Sequence, residues 1–139
     1  MDDLLDKAFY WALEICDTQE DNLGGHFLAH SMRVAFYCHT QGQKIVALLH
    51  AVVEKSTIDS KDLIDSGFPR DIVDAVIASI QEAGEPYLVF VQRVKQNPLS
   101  RVVEMNNILD ILDHKIPNES ASSTTKRYHE YIQGLHLLI

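Results

Sequence analysis

The sequence predicts an all-α bundle. Apolar residues recur at spacings of three and four along most of the chain. No segment sustains the two-residue alternation of a half-buried strand. Glycine, proline and Asn-Pro fall mainly between the periodic runs, where they punctuate helices. With 139 residues, 46% of them apolar, the chain is long enough for one domain over 1–139 with a single real core.

The first helix is expected over about 3–18, with Leu4, Leu5, Ala8, Trp11, Ala12 and Ile15 as its apolar stripe. The stretch DNLGGH is expected to break it, because glycines such as Gly24 and Gly25 can adopt conformations closed to other residues. A second helix is expected over about 27–40, stopping near Gly42, and a third over about 44–55. A short helix follows, capped by Asp59 or Ser60 and stopped at Gly67. Pro69 suits the first turn of the next helix, to about Gln81. AGEP breaks the chain and Pro86 opens a helix to about Gln96. Asn97-Pro98 is a sharp boundary before a helix over about 98–114. IPNESASS is a polar loop, and a last helix covers about 123–138.

Charge and composition exclude several functions. The net charge of −8 argues against a nucleic-acid partner, which requires a basic face. A small anionic ligand needs only a few local cations and stays open. No run reaches the roughly 18 apolar residues of a membrane helix, and the acidic start MDDLLDK is unlike a secretory signal. Cys16 and Cys38 form no disulfide framework and read as small buried thiols of a cytoplasmic protein.

Polar chemistry concentrates on the second and third helices. Phe27, His30, Val34 and Tyr37 share one stripe, so His30 points toward a core or an internal pocket. In IVALLHAVVEK, Val46, His50, Val53 and Glu54 share one edge of a helix that is apolar nearly all round and therefore central. Two inward histidines on adjacent helices are a candidate metal pair, or simply hydrogen-bonded core histidines. His26 and His30 form a weaker i, i+4 pair.

LAHSMRVA, VALLHAVVEKS and NPLSRVVEMNNILDILD, in that order, resemble the successive motifs of the HD-domain phosphohydrolases. The likeness is to the alarmone-hydrolase branch, the RelA/SpoT type and its small stand-alone relatives. Gln19, Asp21 and Gly24 match the family's opening segment, and DLIDSGFPRDIVDAV the stretch after its metal helix. GEPYLVFVQRVKQNP matches its Tyr-x5-Arg helix and Asn-Pro turn, through Tyr87, Arg93, Asn97 and Pro98. KRYHEYIQGL resembles its closing helix, so the likeness spans about 8–137. It implies an HD-domain helical bundle.

In that family two histidines and two aspartates hold one divalent metal, usually manganese. The resemblance carries the histidines onto His30 and His50. The aspartate paired with the second histidine reads Ala51, and the late aspartate falls on Asn107. Two imidazoles alone leave a divalent charge uncompensated, and hard cations favour oxygen ligands. The resemblance also makes Glu54 the water-positioning carboxylate, while Lys55 stands where the family has an aspartate. Glu104 replaces a usual lysine, Ile111 an asparagine and Cys16 an early histidine. Tyr87 and Arg93 are the implied ligand-binding residues, with Arg93 the first candidate for a phosphate and Arg33 and Lys55 weaker ones; the alternatives are core packing for Tyr87 and a surface charge for Arg93.

Three functions follow as expectations. The first is an HD-like domain with a degenerate metal centre, inactive or impaired in hydrolysis, binding a guanosine nucleotide or other small phosphate as a regulatory module without a cofactor. The second is a working metal-dependent nucleotide pyrophosphohydrolase that has rebuilt its Mn2+ site from His30, His50, Glu54 and Asp110. For these carboxylates the alternatives are a solvated or capping Asp110 and a Glu54 paired with His50. The third is a protein-interaction module, homo-oligomer included, motivated by the apolar end GLHLLI, whose alternative is docking on its own core.

Overall fold

A computed structural model describes residues 2–17, 27–114 and 122–139. Within them it is all-α, with helices α1 (Asp2–Cys16), α2 (Phe27–Tyr37), α3 (Gln41–Glu54), α4 (Ser60–Asp65), α5 (Arg70–Ala78), α6 (Tyr87–Lys95), α7 (Pro98–His114) and α8 (Ser122–Leu138). None of these helices is long and apolar enough to cross a membrane. Gln19, Asp21, Gly24, His26, the DNLGG break and most of the IPNESASS loop lie outside the described residues.

α3 packs against α1, α2, α5 and α7, as its apolar circumference requires. Ile45, Val46, Leu49 and Val52 are sealed in one cluster with Ala8 and Ala12 of α1, Val34 of α2, and Ile72, Val73 and Val76 of α5. A second cluster joins α6, α7 and α8 through Phe90, Val91, Val94, Ile108 and Leu138. α7 touches both, with Val103 in the first cluster and Ile108 in the second.

Local chemistry sets the helix ends. Thr40 caps α3 in a reciprocal box with Gln43. Gly42 therefore lies inside the first turn of α3 and is not the stop of α2. α2 ends at Tyr37, where Lys44 Nζ donates to the carbonyl of Cys38 at 2.6 Å. Tyr37 is 52% exposed and so leaves the inward stripe of Phe27, His30 and Val34 expected for α2. Asp59 caps α4 in a box with Asp62, and Gly67 closes that helix with φ 98°. Asn97 Oδ1 accepts from the amides of Leu99 and Ser100, which starts α7 at Pro98.

The apolar C-terminus docks on its own chain. Leu138 is fully buried in the second cluster, and Arg101 donates to the carbonyls of Leu138 at 2.6 Å and Ile139 at 3.0 Å. Leu135, Leu137 and Leu138 of the end GLHLLI pack within the chain, while Ile139 stays 75% exposed.

Candidate functional site

The site grows from the packing of α7 against α2 and α3. His30 is buried at this junction with an oxygen facing each ring nitrogen. Nδ1 lies 2.5 Å from Asp110 Oδ2, and Nε2 lies 2.7 Å from Asn107 Oδ1. A protonated ring donates to both; a neutral ring donates to Asp110, and Asn107 then turns its amide nitrogen toward it.

Asp110 is not a solvated cap. Its side chain is fully buried and also accepts from Arg33, at 2.6 Å from Nε and 3.1 Å from Nη2. Burial alone would raise its pKa. The hydrogen bonds and charges of His30 and Arg33 outweigh that and hold it at about 2. It grips the nitrogen of His30 that faces away from Asn107, a positioning role for the imidazole.

Asn107 continues the chain of contacts to Glu104. Its Nδ2 stands 3.4 Å from Glu104 Oε1, and the Tyr87 hydroxyl donates to Oε2 at 2.7 Å. Burial pushes Glu104 up to about 7, against the two hydrogen bonds and with help from the charge of Glu54. Burial first, then the neighbouring carboxylate, drives the Tyr87 phenol far upward, so Tyr87 remains a donor.

On α3, His50 Nε2 is 3.6 Å from Glu54 Oε2. Burial lowers the His50 pKa more than Glu54 raises it, so the imidazole is neutral at pH 7. Lys55 places its ammonium 4.6 Å from the centre of the Phe27 ring. Ala51 is buried and packs with Cys16 and Phe27 in a small apolar cluster. Burial raises the Cys16 thiol to about 11, leaving it an inert packing group.

These residues border one cavity of about 290 Å³. His30, His50, Asn107, Glu54 and Tyr87 all line it, with Lys55, Glu104, Phe27, Phe90 and Tyr131. Arg93 does not line it. Its guanidinium holds Glu85 at 2.8 Å and the carbonyls of Ala78 and Ile80 at 3.0 and 2.9 Å. It thereby ties down the α5–α6 connector, whose Ile80, Gln81 and Glu82 form one wall of the cavity. Arg33, spent on Asp110, is not a lining residue either.

The donor set does not fit a divalent metal. The oxygen nearest His30 Nε2 belongs to a neutral amide, Ala51 offers no ligand, and Asp110 turns its carboxylate to the opposite ring nitrogen. Among the described residues, no group of three or more His, Cys, Asp or Glu is placed to hold an ion.

The sequence reading did not find the partnership of Glu104 with Tyr87. Glu104 appeared there only as a departure from a family lysine, although a glutamate on the buried side of α7 calls for a donor. Compared with known families and with curated proteins, the chain matches no family model and no curated protein.

Proposed function

We propose that this chain is a metal-free relative of the HD-domain phosphohydrolases that keeps the cavity as a small-molecule binding site and has lost hydrolysis. The observation that carries the reading is the contact between His30 Nε2 and Asn107 Oδ1 at 2.7 Å. In the resembling family the residues at the places of His30 and Asn107 both hold the metal. Here they serve each other. Apolar packing of Ala51 with Cys16 and Phe27 supports the same conclusion, because a carboxylate there would lose its hydration. The cavity itself supports binding. It lies at the small end of ligand sites and combines aromatic side chains with a larger number of polar and charged ones.

A manganese titration of the chelator-stripped protein, followed by electron paramagnetic resonance, tests the reading. The wild type is expected to bind no Mn2+ at about micromolar concentration, the affinity range of a true site at roughly 8 kcal/mol. It should release no phosphate or pyrophosphate from guanosine nucleotides with Mn2+ present. The double substitution Ala51→Asp/Asn107→Asp is expected to gain Mn2+ binding. Tight binding by the wild type that disappears in His30→Ala would overturn the proposal in favour of a working metal site.

A further inference from the structure

The charge around the cavity identifies the kind of ligand it suits. Glu54, Glu82 and Glu104 line it, and among the described residues Lys55 is the one Lys or Arg that does so. The arginines that could have met a phosphate are committed elsewhere, Arg33 to Asp110 and Arg93 to Glu85 and backbone carbonyls. A diphosphate would bring further negative charge into a cavity already short of cations.

The cavity also seats a cation of its own. The Lys55 ammonium stands over the Phe27 ring, one residue from Glu54. Phe27 and Phe90 both line this space, Phe90 with the Arg93 guanidinium 5.4 Å from its ring centre, and aromatic rings beside a carboxylate are a favourable setting for organic cations. Glu54 has a carboxylate side chain 41% exposed, 3.6 Å from His50 Nε2, so a ligand in the cavity can reach it. Glu104 is engaged by Tyr87 and Asn107 and contributes field more than contact.

We propose that the cavity takes a small organic monocation, an amidinium or protonated amine on a flat apolar body, with Glu54 as its counter-ion and the rings of Phe27 and Phe90 as its bed. The proposal rests on the reading of the cavity as a metal-free binding site and reverses the charge of the phosphate ligand expected from the sequence.

The test is isothermal titration calorimetry on the full chain in chelator, with benzamidine, neutral benzamide, benzoate and guanosine diphosphate as probes. Benzamidine is expected to bind about tenfold more tightly than benzamide, with benzoate and the diphosphate weaker still. Glu54→Gln, a change at a half-exposed side chain, should weaken benzamidine about fivefold. Lys55→Met, which removes the resident cation, should strengthen it about threefold. Absence of benzamidine binding, or indifference to Glu54→Gln, would overturn the proposal. If benzoate or the diphosphate binds best and Lys55→Met abolishes it, the ligand class is wrong and the metal-free cavity stands. Tight Mn2+ binding by the wild type in chelator-free buffer would instead remove the reading beneath both.

Discussion

Nδ1 of His30 lies 2.5 Å from Oδ2 of Asp110, eighty residues further along the chain, inside the bundle. This pair locks α2 to α7 and fixes which ring nitrogen of His30 faces Asn107. Arg33 shares the same carboxylate. Removing one member of such a buried set leaves the others without a countercharge, a larger loss than a surface ion pair causes.

Asp110→Asn should therefore destabilise the protein by about 3 kcal/mol at pH 7. The pH dependence has a definite sign. The folded pKa, about 2, lies below the ordinary 3.8, so the stabilisation is complete above about pH 4 and is lost as pH falls through 2. Urea unfolding of both proteins from pH 7 down to pH 2 should show the difference shrinking with acid. A constant difference would mean that the ion pair contributes little and that the asparagine acts by misfit.

Glu104 has the opposite sign. Its folded pKa is raised from 4.5 to about 7. The contribution is fully present below pH 4.5 and is lost as pH rises through 7, because the buried acid must ionise without a cation. Glu104→Gln keeps an acceptor for Tyr87 and removes the titration. Its melting temperature should match the wild type near pH 5 and exceed it at pH 8. Parallel melting curves across that range would refute the assignment.

Much of the scaffold was legible in the sequence because helical signals are local. Asn97-Pro98, Gly67 and the all-round apolar character of residues 45–53 each marked a real boundary or the central helix. Gly42 misled, since the capping box from Thr40 to Gln43 decides where α3 begins and tolerates a glycine in the first turn. The site was legible only in part. His30, His50, Glu54, Asn107 and Tyr87 do meet at one cavity. The partners of Asp110, Glu104 and Arg93 were not foreseen, because they depend on which faces of distant helices are brought together. No periodicity records that. Arg33 and Asp110 are 77 positions apart.

Ala51→Asp alone should cost about 2 kcal/mol at pH 7, the price of burying a polar group among Cys16 and Phe27 without a partner. The new carboxyl will have a raised pKa, so the loss should ease as pH falls. Combined with Asn107→Asp, the same substitution should become metal-responsive, with millimolar Mn2+ raising the melting temperature of the double variant only. A wild type equally stabilised by Mn2+ would contradict the closed arrangement around His30.

The contact of α8 with α6 gives the last prediction. A Cβ added at Gly134 would meet Tyr87 Cε2 at 3.0 Å and Val91 Cγ2 at 3.3 Å. Alanine favours a helix over glycine by about 1 kcal/mol, so the outcome depends on whether Tyr87 can retreat. Its hydroxyl is anchored on Glu104 at 2.7 Å, and its ring stands edge-on to Tyr131 with centroids 5.3 Å apart. Both contacts oppose movement, and overpacking of this kind costs about 1–3 kcal/mol. Gly134→Ala should therefore be destabilising despite its helix propensity, and it should perturb the near-ultraviolet circular dichroism of the two tyrosines. Tyr87→Phe keeps the ring and frees its far end, which lets the ring tilt away from a new methyl group. The strain at position 134 should then be smaller in the Tyr87→Phe background than in the wild type. Chemical unfolding of the four proteins in a double-mutant cycle measures that coupling. Additive losses would show that the hydroxyl anchor does not hold the ring against α8.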